Sequence, residues 1–252
     1  MPIGERPLAS VTVDPAEVSK FEAMAAEWWD PAGKFRPLHA MNPCRMGYVA
    51  EQVAAEFGRD LRSRAPFAGM RIVDVGCGGG LAAEPMARLG AEVTGLDAAA
   101  ESLAVARAHA EAQGLEIDYR EETAEAAAGR GARFDVVLAL EIVEHVADVP
   151  AFLAALAGLL RPGGMAILST LNRTPESFAA AIVGAEWLLR WLPRGTHDWR
   201  KFPSPAELEA ALAAAGLEVV DLKGMAPDPL RGGWRLSPSL RVNYLATALK
   251  RG

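Results

Sequence analysis

The sequence predicts an α/β protein built on a mostly parallel sheet with helices on both faces, and three observations carry that prediction. Strand-like and helix-like segments alternate from about residue 70 to 171. An apolar segment, Arg71-Ile-Val-Asp-Val75, runs into a turn with glycines at 76, 78, 79 and 80. A second strand-like segment, Ala91 to Asp97, ends in a carboxylate. Strand, glycine turn, helix and acid-ended strand is the layout of a nucleotide-cofactor site. Glycines lack the β-carbon that would block a sharp turn and a close ligand, and the later carboxylate accepts hydrogen bonds from a ribose diol.

Each element follows from local signals. Residues 1–13 show no periodicity and are expected to be mobile. Asp14-Pro15 reads as a cap followed by proline in the first helical turn, opening a helix to about Trp29 that Asp30-Pro-Ala-Gly33 ends. Met46, Val49, Val53 and Phe57 recur at helical spacing within a second helix, 42–62. These helices form an N-terminal cap, 14–66, ahead of a domain spanning 67–252. Strands are expected near 70–75, 92–97, 116–120, 134–140 and 164–171, with helices near 80–89, 99–113 and 150–160 between them. Arg161-Pro-Gly-Gly164 is the turn before the fifth strand, and Ser204-Pro205 starts a further helix that ends at Gly216. Strands at 217–222 and 241–250 complete a seven-stranded sheet, the last strand antiparallel. Residues 172–202 break the rhythm as an insertion too long for a simple loop.

Composition excludes several classes. Half of the 252 residues are apolar and 23% are charged, as in a globular protein. A net charge of −6 argues against a general nucleic-acid binder. No apolar run is long enough to span a bilayer and no secretory signal is expected, so the predicted location is cytoplasmic. Two cysteines, Cys44 and Cys77, make neither a disulfide framework nor a metal cluster.

A glycine turn of this kind fits a dinucleotide or S-adenosylmethionine. Asp74, two residues before Gly76, would repel a pyrophosphate but suits a ligand that is cationic near the turn. That favours S-adenosylmethionine, with its ammonium and sulfonium groups, over a dehydrogenase cofactor.

The second informative stretch runs from Phe134 to Val146. A buried strand ends near Leu140 at the carboxyl edge of the sheet, where open α/β sheets bind ligands, and Glu141, Glu144 and His145 lie just beyond. In a helix these three would share a face and could hold a divalent metal such as Mg²⁺. The same residues could instead pack and cap the helix that follows. Local spacing leaves both readings open.

Five stretches together resemble the ubiquinone-biosynthesis O-methyltransferase family, in its bacterial and mitochondrial branches. They are Lys20-Phe-Glu-Ala23 with Trp28-Trp-Asp30, Pro37-Leu-His-Ala-Met-Asn-Pro43 with Arg45, the Asp74–Gly80 turn, Ser169-Thr-Leu-Asn-Arg173, and Val183-Gly-Ala-Glu186 followed by Gly195-Thr-His-Asp198 and Lys201-Phe202. The match covers about 17–205, with Val242-Asn-Tyr244 near the end. The resemblance implies a Rossmann-like class I methyltransferase fold. It implies that Arg45 pairs with the carboxylate of the methionine part of the cofactor, that Gly76, with Gly78 in the same turn, lines the cofactor, that Asp97 holds the ribose, and that the backbone near Leu140 closes the pocket. Leu140 stands where family members commonly have methionine. The mitochondrial branch implies magnesium, with Glu141, Glu144 and His145 as ligands. The implied reaction methylates a catechol-type hydroxyl of polyprenylated intermediates, 2-polyprenyl-6-hydroxyphenol and 3-demethylubiquinol, with other ubiquinone-biosynthesis enzymes as partners. A metal, or without one His145 or a neighbouring carboxylate, would remove the hydroxyl proton. Another small acceptor, or a non-catalytic scaffold, are the alternatives.

A tailed substrate residing in membrane gives the insertion a role. Its segment Phe178 to Leu192 is apolar almost all round a helical wheel, with Trp187 and Trp191, and carries Arg190, Arg194, Arg200 and Lys201 on or near it. That pattern predicts peripheral contact with anionic membrane at its inner face, a lid or subunit contact being the alternative.

Overall fold

Residues 12–179, 198–230 and 232–251 are described by a computed structural model. The tryptophans and arginines expected to meet a membrane, Trp187, Arg190, Trp191 and Arg194, lie outside the described residues, as do Val183–Glu186, His197 and residues 1–11.

The chain opens with α1 (Pro15–Glu22), capped as expected by Asp14, whose side chain accepts from the Ala16 N–H at 2.9 Å. α1 stops well short of Trp29, and a short 3₁₀ turn (Ala25–Glu27) carries the chain to the tryptophans. α2 spans Arg36–Glu56, starting earlier than the apolar spacing predicts because Pro37 suits a first helical turn. It ends earlier too, where Gly58 adopts a left-handed φ of 62°. Five strands and their crossovers follow: β1 (Arg71–Val75), α3 (Ala83–Arg88), β2 (Glu92–Asp97), α4 (Ala100–Ala112), β3 (Ile117–Glu121), α5 (Ala124–Gly129), β4 (Phe134–Leu140), α6 (Val149–Leu159) and β5 (Leu160–Leu171). The short helix α5, which the spacing did not reveal, starts at Thr123, whose hydroxyl accepts from Ala126. Leu160 already pairs with Phe134, and the Pro162–Gly164 turn bulges out before Met165 meets Val136.

A single turn, α7 (Pro175–Ser177), and α8 (Pro205–Ala214) precede β6 (Glu218–Pro227), β7 (Trp234–Ser237) and β8 (Asn243–Leu249). The sheet has eight strands in the order β3-β2-β1-β4-β5-β8-β6-β7, so the expected seven is one too few. The first five pair parallel, and β8 runs antiparallel to β5 and to β6. The added strand arises because β6 continues to Pro227 and folds back through Gly232 and Gly233, both at positive φ, into β7.

Both faces of the central strands are buried, as a parallel sheet covered by helices requires. Ile72, Val136, Leu138 and Ile167 pack toward α2, α3 and α4; Val73, Val137, Ala139 and Leu168 pack toward α5, α6 and α8. All seven residues of β4 are buried. Each such aliphatic side chain contributes roughly 1.5–3 kcal/mol. That rigid centre fixes the carboxyl ends of β1, β2 and β4 relative to one another. Thr12, expected within the mobile terminus, is instead buried: its carbonyl accepts from Ala147 N at 2.8 Å and its hydroxyl meets Glu125 at 2.5 Å.

Candidate active site

The glycine turn after β1 needs glycine for two reasons. Gly76, Gly78 and Gly80 have φ values of 71°, 50° and 88°, where other residues are strained. Their missing β-carbons also leave room for protein side chains. A β-carbon on Gly78 or Gly79 would overlap the Trp28 indole, one on Gly80 the Tyr119 hydroxyl, and one on Gly76 would lie 2.7 Å from Ile142. Trp28 is buried, stacks on Phe35 with centroids 3.7 Å apart, and donates from Nε1 to Ser102 at 3.0 Å. Trp29 donates to the Gly79 carbonyl at 2.9 Å and stacks on His109. The N-terminal cap is thus docked directly on the turn.

A cavity of about 330 Å³ runs along the carboxyl edge of the sheet. Gly76, Gly78, Asp97, Leu140, Glu141, Glu144 and His145 line it, so seven of the residues singled out from sequence share one space. The cap supplies one wall, including Glu17, Phe21, Trp28, Leu38 and Met41. Glu122 and Thr123, at the end of β3, line it as well. Sequence reasoning passed over these two, although their place at a strand's carboxyl end was a usable signal.

Asp97 closes β2 with both oxygens engaged: Oδ2 accepts from Gly78 N and Oδ1 from Ala99 N, each at 2.8 Å. Burial raises its pKa, and the N–H groups of Ala99, Gly78 and Ala98 oppose the shift.

Arg45 and Asp74 are buried but are not among the cavity's lining residues. Arg45 donates to Asn42 at 2.9 Å and stands 3.9 Å from Glu141. Burial pushes the Asp74 carboxyl up to about 7, against the pull of the Arg45 guanidinium. Arg45 Nε and Asp74 Oδ2 are two of the four buried side-chain polar atoms, among the described residues, that have no hydrogen-bond partner. An unsatisfied buried group is costly, and a zwitterionic amino-acid group supplies both the acceptor and the donor that these atoms lack. The pair therefore fits the methionine end of S-adenosylmethionine.

The stretch after β4 corrects the expected helical face. Glu141 takes a left-handed φ of 56°, and Val143–His145 form a 3₁₀ turn. Each of the three side chains has its own protein partner. Glu141 accepts from Ser169 Oγ at 2.7 Å, Glu144 from Thr170 Oγ1 at 2.9 Å, and His145 Nδ1 pairs with Glu17 Oε2 at 2.8 Å. Burial, then Glu141, raises the pKa of Glu144, which disfavours an ionised ligand. No group of three or more His, Cys, Asp or Glu set to hold a metal occurs among the described residues. As arranged here, Glu141, Glu144 and His145 do not fit a magnesium site.

His145 keeps a different capacity. Burial would lower its pKa, but Glu17, Glu144 and Glu141 outweigh that and raise it, strengthening the imidazole as a base. Glu17 in turn is held at about 2 by the hydrogen bond from His145, against burial, with Lys20 adding to the effect.

Comparison with known proteins agrees with this geometry. A family model described as a methyltransferase domain matches residues 49–222, from within α2 to within β6. Ubiquinone biosynthesis O-methyltransferase of Cereibacter sphaeroides is 61% identical over 96% of this chain and 99% of its own length. That of Dinoroseobacter shibae is 62% identical over 95% and 97%. Among solved structures, a magnesium protoporphyrin IX methyltransferase from Synechocystis PCC 6803 with bound SAH aligns with a TM-score of 0.56 and 20% identity over 82% of each chain. A [4+2]-cyclase aligns as well, with a TM-score of 0.57 and 18% identity over 81% of each chain. These two likenesses show the Rossmann-like methyltransferase fold and not a chemistry. With glycine turn, acid-ended strand and near full-length identity in accord, this chain belongs to the ubiquinone biosynthesis O-methyltransferase family.

Proposed function

We propose that the protein transfers a methyl group from S-adenosylmethionine to a catechol-type hydroxyl of polyprenylated intermediates of ubiquinone biosynthesis, 2-polyprenyl-6-hydroxyphenol and 3-demethylubiquinol. The observation that carries this reading is the single cavity joining the glycine turn and Asp97 to His145. A donor site and a base in one cavity are the two requirements of O-methylation.

The cofactor supplies an electrophilic methyl on a sulfonium. Asp97 would hold the ribose, Gly76 and Gly78 the nearby backbone, and Arg45 with Asp74 the methionine end. His145, oriented by Glu17, takes the proton from the acceptor hydroxyl and so generates the nucleophilic phenolate. The apolar cap wall excludes water from the reacting oxygen. Glu141, Glu144 and His145 are committed to Ser169, Thr170 and Glu17, so the proton transfer falls to His145 and not to magnesium. Turnover of chelator-treated enzyme decides the matter. Full retention leaves the ion out, and a loss restored by Mg²⁺ means that the three side chains regroup around it.

Peripheral contact with anionic membrane belongs to this reading through the sequence of the insertion alone. Changing Trp187 and Trp191 to alanine should abolish flotation with anionic liposomes. No helix of the described residues is long and apolar enough to cross a membrane. Transfer of labelled methyl to a prenylated catechol is the direct test of the activity; failure to methylate any catechol overturns it.

A further inference from the structure

The cavity follows the strand order, and this order assigns its two ends. Gly76, Asp97 and Glu122 belong to the β1–β2–β3 side, and the β4 end with His145 lies in the middle. On the far side the lining comes from Leu171 at the end of β5, Val242 and Asn243 at the start of β8, and Trp234 on β7. Leu38 and Met41 of α2 line the same cavity and belong to the same apolar cluster that Trp234 joins. The methyl donor occupies the first side in the proposed reaction. An acceptor reacting at the centre must therefore extend toward the second, where the lining is almost wholly apolar.

The β6–β7 hairpin that delivers Trp234 is a built element. Gly224 of β6 leaves no room for a β-carbon against the Ser239 carbonyl, and Met225 N donates to Asn243 Oδ1 at 2.9 Å, tying β6 to the start of β8. Asp228 N bonds the Gly233 carbonyl at 2.9 Å to close the turn. Trp234 and Leu236, two apart on a strand, point to one face and pack against the α2 side of the core, leaving Trp234 only partly covered by protein.

We propose that Trp234, with Leu171 and Val242, forms the subsite for the apolar substituent of the acceptor, and that Trp234 is a residue that sets preference for tailed over tail-less catechols. This rests on the methyltransfer reading above. A flat indole that is partly exposed and lines the cavity offers large contact area to an isoprenoid chain at little entropic cost.

The test compares kcat/KM for a catechol bearing a short prenyl tail with that for the same catechol without it. Trp234→Ala should lower the ratio of the two by roughly tenfold, and Trp234→Phe by less, while affinity for S-adenosylhomocysteine stays at the wild-type value. An equal loss on both substrates, or an unchanged ratio, overturns the subsite. Should the alanine variant not fold, the phenylalanine variant and inhibition of the wild type by farnesol remain decisive: inhibition must be competitive with acceptor and weaker in Trp234→Phe. Methylation of neither catechol by the wild type would instead defeat the proposed function itself.

Discussion

At the β1–β3 end of the cavity the walls include the glycine turn and the strand-end carboxylates of Asp97 and Glu122, whereas the β5–β8–β7 end is assembled mainly from the apolar residues 38, 41, 171, 234 and 242. The first end is specified by backbone conformation and N–H groups that few substitutions can imitate. The second is specified by apolar bulk, for which many side chains serve. Changes at the donor end should therefore be severe and chemically selective, and those at the acceptor end graded with size.

The sharpest way to break this contrast is Asp97→Asn. The amide keeps the size but replaces one acceptor with a donor facing Gly78 N–H or Ala99 N–H, besides removing the charge proposed to hold a ribose. Affinity for S-adenosylhomocysteine should fall by roughly 1.5–3 kcal/mol, and unchanged binding by calorimetry would remove Asp97 from the site. Gly78→Ala comes next. Its methyl would overlap the Trp28 ring at a φ of 50°, so cap docking should weaken by roughly 1–3 kcal/mol. Protease susceptibility of residues 12–35 reads that loosening, and wild-type protection would mean that the cap does not rest on the turn.

The smallest expected effect is a pH dependence. Asp74, raised to about 7, binds a proton in the folded protein that the unfolded chain releases near 3.8. Its contribution to stability is present below the unfolded value and is lost as pH rises from about 4 to 7. The ionised carboxylate, not the acid, attracts an ammonium, so affinity for S-adenosylhomocysteine should climb as pH rises through about 7. Asp74→Asn should flatten that slope in titration calorimetry; an equal slope in the variant would place the titrating group elsewhere.

The contrast also explains what could be read from the sequence. The glycine turn, Asp97 and the buried β4 strand are contiguous signals, each set by a conformation that only certain residues adopt, and the structure places them as the pattern predicts. The geometry after Leu140 was not legible, because the choice between a helical face and a left-handed residue followed by a 3₁₀ turn is made by Ser169, Thr170 and Glu17, far away in the chain. β7 was hidden differently. Four residues, Trp-Arg-Leu-Ser, are too short for an alternation pattern to stand out, although Asp228-Pro and Gly232-Gly233 mark the hairpin turn. Trp28 shows a third case: only the fold shows that it fills the space opened by Gly78 and Gly79.

The docking of the chain's first segment bears on the order of events at the ribosome. Residues 12–29 precede the sheet in the chain, yet their partners are Gly79, Ser102, Glu125, His145 and Ala147, so the contacts Thr12–Glu125 and Glu17–His145 close loops of 113 and 128 residues. Such long-range closures come late, after the sheet they rest on has formed. The leading segment must wait, undocked, until β4 and the turn behind it have emerged. Residues 12–29 are made before the sheet but take their places after it, and a nascent chain acquires its roofed pocket only once the sheet beneath is complete.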